Sequence, residues 1–342
     1  MTEMIQAQGL VKRYGATTAL DGLDLAVPQG TVLGLLGPNG AGKTTAIRIF
    51  TTLLDADGGT ASVAGIDVAA DPLGVRRHIG LSGQYAAVDE YLTGFENLDM
   101  VGRLSKLGRK ASKARARELL EQFDLVESGD RTVKTYSGGM RRRLDLAAAL
   151  VSKAPVLFLD EPTTGLDPRS RIELWETIRD LVAGGTTLLL TTQNLDEADR
   201  LADDIVVIDR GRIIAQGTSD ELKTEVGGER VELVVTEASQ MARAGENLAP
   251  LAIGEIQVDE HNRKLTVPVS GGAGKLTVAL RELDAAGVGV LDVGLRRPTL
   301  DDVFLTLTGH GAEQDSSDNG DAPKSKSRGK SKDRTKTEEP VG

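Results

Sequence analysis

One segment constrains this 342-residue chain more than any other: Gly37-Pro38-Asn39-Gly40-Ala41-Gly42-Lys43-Thr44-Thr45. A short apolar stretch, residues 31–36, leads into it, and a helical pattern follows. Strand, glycine-rich loop and helix in that order make the P-loop pattern. The glycines let the backbone curl until several N–H groups point at one anion. The helix that starts near Lys43 adds the positive end of its dipole. Lys43 can reach β- and γ-phosphates, and the Thr44 hydroxyl suits Mg²⁺. Thr45 reads as structural or as a minor phosphate contact.

A second element completes a phosphate site. Val156-Leu157-Phe158-Leu159-Asp160-Glu161 is an apolar strand that ends in two carboxylates. Adjacent strand residues point to opposite faces, but at a strand's carboxyl end both can border one site. Asp160 suits Mg²⁺, through water. Glu161 suits a general base that polarises an attacking water. Further along the chain, Tyr136-Ser137-Gly138-Gly139-Met140 precedes an apolar helical run, residues 144–151. Ser137 and the N–H groups of Gly138 and Gly139 can form a helix N-terminal anion site, or Ser137 is an ordinary N-cap.

The rest of the chain divides by pattern. Residues 4–225 alternate short apolar strands with amphipathic helices, as a mostly parallel sheet covered by helices does. Residues 229–296 read as strand 230–235, helix 239–247, hairpin 253–258 and 264–269, helix 275–286 and strand 288–295. That order is the split, ferredoxin-like arrangement. Gly227-Gly228 reads as the linker. Residues 298–307 read as a closing helix with Thr299 or Asp301 near its start. We therefore expect an ATP-binding-type domain over 1–226, a small α+β accessory domain over 229–309 and a disordered charged tail over 311–342. The tail is acidic over 315–321 and basic over 324–336, and too poor in apolar residues to fold alone. It reads as a solvated segment, or as one whose basic block touches anionic headgroups or RNA.

Composition removes several functions. With no cysteine, disulfides, thiolate metal sites and a cysteine nucleophile are excluded. His78, His261 and His310 have no ligand spacing. A net charge of -10 argues against general nucleic-acid binding. No apolar run reaches the roughly 18 residues that span a bilayer, and the first residues lack a signal-peptide pattern. The composition describes a soluble, intracellular protein whose membrane role would come through a partner.

Taken together, these motifs resemble the ATP-binding subunit of an ABC transporter. Residues 136–140 resemble the family signature, usually LSGGQ, with its first and last positions changed. They stand 20 residues before Asp160, the family's order and spacing. The resemblance implies a P-loop ABC ATPase domain: a mostly parallel sheet core, an antiparallel β subdomain and a helical subdomain carrying the signature. It implies that Tyr14 stacks on adenine, although alone it could be a strand core residue. It implies that Gln84 is the Q-loop glutamine, which contacts Mg²⁺ and faces the membrane partner. Gly165-Leu166-Asp167 resembles the D-loop of the dimer interface. Two copies pack head to tail in this family, with each ATP between one copy's P-loop and the other's signature. One chain carries one of each, so a second copy is implied.

One position departs from the family. After Thr187-Leu188-Leu189-Leu190-Thr191-Thr192, where a switch histidine is usual, stands Gln193. Glutamine can donate a neutral hydrogen bond to the γ-phosphate but cannot titrate near neutral pH. Gln193 then keeps the phosphate contact while Glu161 is the base; a degenerate, weakly hydrolytic site is the competing reading. The run from Gln193 to Asp199, with Pro298-Thr299-Leu300-Asp301-Asp302-Val303-Phe304-Leu305, resembles the daunorubicin-resistance type of drug-exporter ATPase. That resemblance implies an ATPase at the cytoplasmic face of the membrane that works with a separate integral permease. The permease would hold a hydrophobic small molecule: a drug, an antibiotic or a lipid. Alternatives are a soluble ABC ATPase acting on ribosomes or DNA, and an importer ATPase. Long coiled coils or a second ATPase domain would favour the soluble reading, and neither is in this sequence.

Overall fold

Strands covered by helices on both faces must be apolar throughout, and three here are buried over their whole length. They are β3 (Val32–Leu36), β7 (Val156–Asp160) and β8 (Thr187–Thr192). The computed structural model describes residues 2–83 and 87–308. In it, these strands lie in a six-stranded sheet with β6 (Ile79–Ser82), β9 (Asp204–Asp209) and β10 (Arg212–Gly217), in the order β10-β9-β3-β8-β7-β6. All pairings are parallel except that of the edge strand β10. Helices α1 (Lys43–Phe50), α6 (Pro168–Ala183) and α7 (Leu195–Leu201) follow β3, β7 and β8.

A second sheet is antiparallel, ordered β2-β1-β4-β5, from β1 (Glu3–Tyr14), β2 (Thr17–Pro28), β4 (Gly58–Val63) and β5 (Ile66–Asp67). It closes over α1: Ile5, Leu10, Leu23 and Val27 share one buried cluster with Ile47, Phe50 and Phe158. The Phe50 and Phe158 rings stack with centroids 6.1 Å apart. A short helix, α2 (Pro72–Arg76), is capped by Asp71. The helical subdomain holds α3 (Gly94–Leu104), α4 (Arg109–Gln122) and α5 (Gly138–Ala149). Thr93 and Glu96 form a capping box at the start of α3, which satisfies two helix-end donors reciprocally. Leu98, Leu119, Phe123, Tyr136 and Leu144 make the core between these helices and the sheet. The α/β reading, with its parallel core, antiparallel subdomain and helical subdomain, holds.

The final segment forms a third sheet, ordered β12-β13-β11-β14 and antiparallel throughout. Its strands are β11 (Glu229–Val235), β12 (Gln257–Asp259), β13 (Lys264–Val269) and β14 (Val290–Arg296). Helices α9 (Met241–Leu248) and α10 (Ala273–Ala285) bury Met241, Ala244, Leu248, Ala279 and Leu283 against Val231, Leu233, Leu265 and Val267. This is the expected ferredoxin-like β-α-β-β-α-β order. One strand differs from expectation: 253–258 reduces to Gln257–Asp259. Pro268 explains this. Its carbonyl accepts from the Ile253 N–H at 2.9 Å, so that residue's missing N–H faces the same edge and the ladder cannot continue past it. The expected glycine linker is shorter too. Helix α8 (Ser219–Gly227) runs to Gly227, and only Gly228, at φ 65°, turns the chain into β11. The expected tail, 311–342, lies outside the described residues.

The closing helix α11 (Leu300–Thr308) starts at Thr299, whose hydroxyl accepts from the Asp302 N–H at 3.3 Å. It packs back on the first sheet's helices: Leu300, Val303 and Phe304 join Leu36, Leu195, Ala198 and Leu222. Asp302 also accepts from Arg230 on β11 at 3.0 Å. Phe304→Ala should leave a cavity and cost about 3 kcal/mol, read as a lower denaturant midpoint. An unchanged midpoint would mean that α11 does not carry this packing.

Candidate active site

The nucleotide-loop geometry is dictated by two close approaches. A side chain on Gly42 would meet the Ala19 carbonyl oxygen at 2.4 Å, and the residue sits at φ 113°. A side chain on Gly37 would meet the Ile208 carbonyl at 2.3 Å. Only glycine satisfies both, so β2, β9 and the loop pack backbone to backbone. The chain then enters α1 at Lys43, which is buried. Its ammonium donates to the Gly37 carbonyl at 2.7 Å and the Pro38 carbonyl at 3.1 Å. It lies 3.7 Å from Glu161 Oε1. Burial pulls the Lys43 pKa down, and the Glu161 and Asp160 carboxylates oppose that pull.

Asp160 closes the site from β7. The Thr191 hydroxyl of β8 donates to its Oδ1 at 2.5 Å, and the Thr44 hydroxyl of α1 at 3.2 Å. One buried carboxylate thus joins two strands and a helix. Among the described residues no cluster of three or more His, Asp or Glu could hold a metal ion. The donor set is one carboxylate and one hydroxyl, hard oxygens that suit a Mg²⁺ completed by phosphate and water.

Glu161 follows in a left-handed conformation, φ 48°, which costs a side-chain-bearing residue free energy unless neighbours hold it. Its N–H donates to the Thr191 carbonyl at 3.0 Å, and its Oε2 accepts from the Thr164 hydroxyl at 3.4 Å. The turn aims the carboxylate at the loop, beside Lys43. Lys43, Thr44, Asp160 and Glu161 therefore converge on one side of the loop.

Other expected residues stand apart from this group. Pro38, Asn39 and Gly40 form the outer loop, with Ala41 buried and Thr45 half-buried. Ser137 caps α5, accepting from the Met140 N–H at 3.2 Å, so the ordinary N-cap reading holds locally. Gly138 is exposed, while Gly139 leaves room for Ser170: a side chain there would meet Ser170 Oγ at 2.6 Å. Ser170 Oγ in turn donates to Asp167 at 2.6 Å, and Asp167 caps α6. The signature and the D-loop segment are thereby in contact. Tyr136, where leucine is usual, is buried with its hydroxyl on the Ser128 carbonyl at 2.6 Å. Tyr14 is 47% exposed, which discards the core alternative. Its β1 position pairs with Thr17, close to Ala19 at the loop, and the Lys12 ammonium lies 5.8 Å from its ring centroid. Gln193 is half-buried between β8 and the Asn194 cap of α7. Gln84 lies outside the described residues.

This geometry matches proteins that are already known. Residues 20–164 fit the family model for ABC transporters, and residues 217–308 fit the C-terminal domain of ATP-binding protein DrrA1-3-like proteins. The daunorubicin resistance ATP-binding protein DrrA2 of Streptomyces coeruleorubidus is 60% identical over 90% of this chain and 96% of its own length. The chain belongs to the daunorubicin-resistance family of ABC transporter ATP-binding proteins. The daunorubicin/doxorubicin resistance ATP-binding protein DrrA of Streptomyces peucetius is 51% identical over 93% of this chain and 96% of its own. A solved ATP-binding subunit of an ABC transporter matches with a TM-score of 0.59 at 29% identity, covering 65% of this chain and 92% of that one. This family member is an ATPase: it binds nucleotide and hydrolyses ATP as the ATP-binding subunit of a transporter. No described helix is long and apolar enough to cross a membrane.

Three residues of the site were not singled out from sequence. Thr191 reads from sequence as an ordinary strand residue, and its signal is the pair of threonines that ends an apolar run. Arg142 was hidden among three consecutive arginines. Glu197, on α7, is buried and accepts from the Trp175 indole N–H at 3.0 Å. Burial pushes its carboxyl pKa up from 4.5, opposed by hydrogen bonds from Thr192, Trp175 and Thr163 and by the Arg171 charge. The folded state then holds the proton more tightly than the unfolded chain, so this group's stability contribution is present below pH 4.5 and lost as pH rises through the raised value. Glu197→Gln, which keeps the neutral shape, should therefore gain melting temperature over the native chain as pH rises from 4.5 towards 8. A constant difference across that range would rule this out.

Proposed function

We propose that this chain is the ATP-hydrolysing subunit of an exporter of hydrophobic small molecules, working with a separate integral membrane permease at the cytoplasmic face. The observation that carries the reading is the convergence of Lys43, Thr44, Asp160 and Glu161 around the glycine loop. The names of the relatives, which concern daunorubicin and doxorubicin resistance, support the drug class. Residues 1–226 act as the nucleotide-binding domain and 229–309 as an accessory domain for assembly.

In this reading the loop N–H groups and Lys43 hold the β- and γ-phosphates, and Tyr14 stacks on the base. Thr44 and Asp160 hold Mg²⁺, with Gln84 a further ligand; the ion supplies neutralisation of phosphate charge. Glu161 orients a water in line with the γ-phosphate and takes its proton as the P–O bond to ADP breaks. Gln193 donates a neutral hydrogen bond to a γ-phosphate oxygen. The site is completed by a second copy whose Ser137, Gly138 and Gly139 face the same phosphate, with Asp167 at the interface. ATP binding closes the pair and hydrolysis reopens it, which drives the permease through a shift of population.

Glu161→Gln should bind ATP normally and lose turnover by about 100-fold or more, accumulating an ATP-dependent dimer in gel filtration. Full turnover would remove Glu161 from the base role. Lys43→Ala should weaken nucleotide binding and hydrolysis together. Gln193→Ala should lower turnover about tenfold, the worth of one neutral hydrogen bond; unchanged activity and ATP affinity would sink its assigned role.

A further inference from the structure

The Glu161 conformation needs support, and one side chain supplies it from outside the site. Arg142 lies on α5, one turn beyond the Ser137 cap, and is buried. Its Nε donates to the Pro162 carbonyl at 2.7 Å, and its Nη2 to the Asp160 carbonyl at 3.3 Å. Those are the carbonyls of the residues on either side of Glu161. Its Nη1 donates to the Gly83 carbonyl at 2.6 Å. Asp145, one turn on, lies 3.5 Å from Nη1. It is itself held by the Ser82 hydroxyl and the Ala87 N–H, both at 2.6 Å. Burial lowers the Arg142 pKa, with Asp145 first among the groups opposing it.

We propose that Arg142 is a positioning residue for ATP hydrolysis, its guanidinium holding the Asp160–Glu161 peptide plane and the Pro162–Thr163 plane beyond it, and so bracketing the turn that sets the direction of the Glu161 carboxylate. The inference rests on the assignment of Glu161 as the base. The Asp160–Glu161 plane is held at both ends, by Arg142 and by the Glu161 N–H on β8, and the proline ring of Pro162 with its held carbonyl limits the turn beyond it. A planar fork that spans two carbonyls is what arginine offers; a lysine ammonium is one point and cannot hold both in the same geometry. Because Arg142 stands on the helix that Ser137 begins, the signature and the base share one rigid support. Among the described residues Arg142 bonds to Gly83, Asp145, Asp160 and Pro162 and not to the loop or Lys43, so its effect should fall on turnover more than on nucleotide affinity.

The test is steady-state ATPase kinetics on the full chain, with turnover expressed per nucleotide-binding site to discount unfolded protein. Arg142→Lys and Arg142→Gln should lower kcat about 10- to 100-fold, as sub-ångström misplacement of a reacting group does, while KM for ATP and nucleotide affinity stay within about twofold. In a Glu161→Gln background the same Arg142→Lys change should lower the residual turnover no further, since the carboxylate it positions is gone. Native kcat per site in both Arg142 variants overturns the proposal, as does an equal fold loss in the Glu161→Gln background. Full turnover in Glu161→Gln alone would instead overturn the base assignment.

Discussion

A buried carboxylate must find donors, and Asp160 finds them on three elements at once. It ends β7, accepts from Thr191 on β8 and from Thr44 on α1. In a low-dielectric interior such an anion is costly unless satisfied, so the ends of two central strands and the start of the first helix are locked to a common point. The catalytic geometry depends on that lock. Thr44 follows Lys43, and Glu161 follows Asp160, so fixing one residue of each pair fixes the separation of its neighbour. The 3.7 Å approach of Lys43 to Glu161 is the result.

Around this point the fold divides the work by rigidity. The central parallel strands β3, β7 and β8 supply a floor that is buried over its whole length. The antiparallel sheet packs on α1 and brings Ala19 against Gly42, which leaves the loop no alternative path. The helical subdomain reaches the same place through α5, whose Arg142 grips the carbonyls that flank Glu161. The third sheet acts from the other side: α11 packs on α7, the helix that follows Gln193. Each layer thus bears on the loop, on Glu161 or on Gln193, the groups proposed to act on the phosphate.

Much of this was legible in the sequence because backbone geometry demanded particular residues. The glycines of 37–42, the apolar strand before Asp160 and the β-α-β-β-α-β order of 229–296 each follow from a steric or periodic rule. What escaped were side chains whose meaning depends on register. Thr191 matters because it pairs with Asp160 across β7 and β8, a fact of sheet order. Arg142 differs from Arg141 and Arg143 only in which face of α5 it occupies. The overlong strand at 253–258 failed for a reason that sat on its partner: Pro268 has no N–H for that edge. Tyr14 was ambiguous between core and surface, and its exposure decides it.

The most direct test is a crystal structure of the full chain with Mg²⁺ and a non-hydrolysable ATP analogue. Two copies related by a two-fold axis are expected. The γ-phosphate should lie between Lys43 and Glu161, with Ser137 of the partner subunit against it and the metal on Thr44 and Asp160. A nucleotide bound away from Lys43, or a closed dimer with the Glu161 carboxylate turned from the γ-phosphate, would contradict this arrangement.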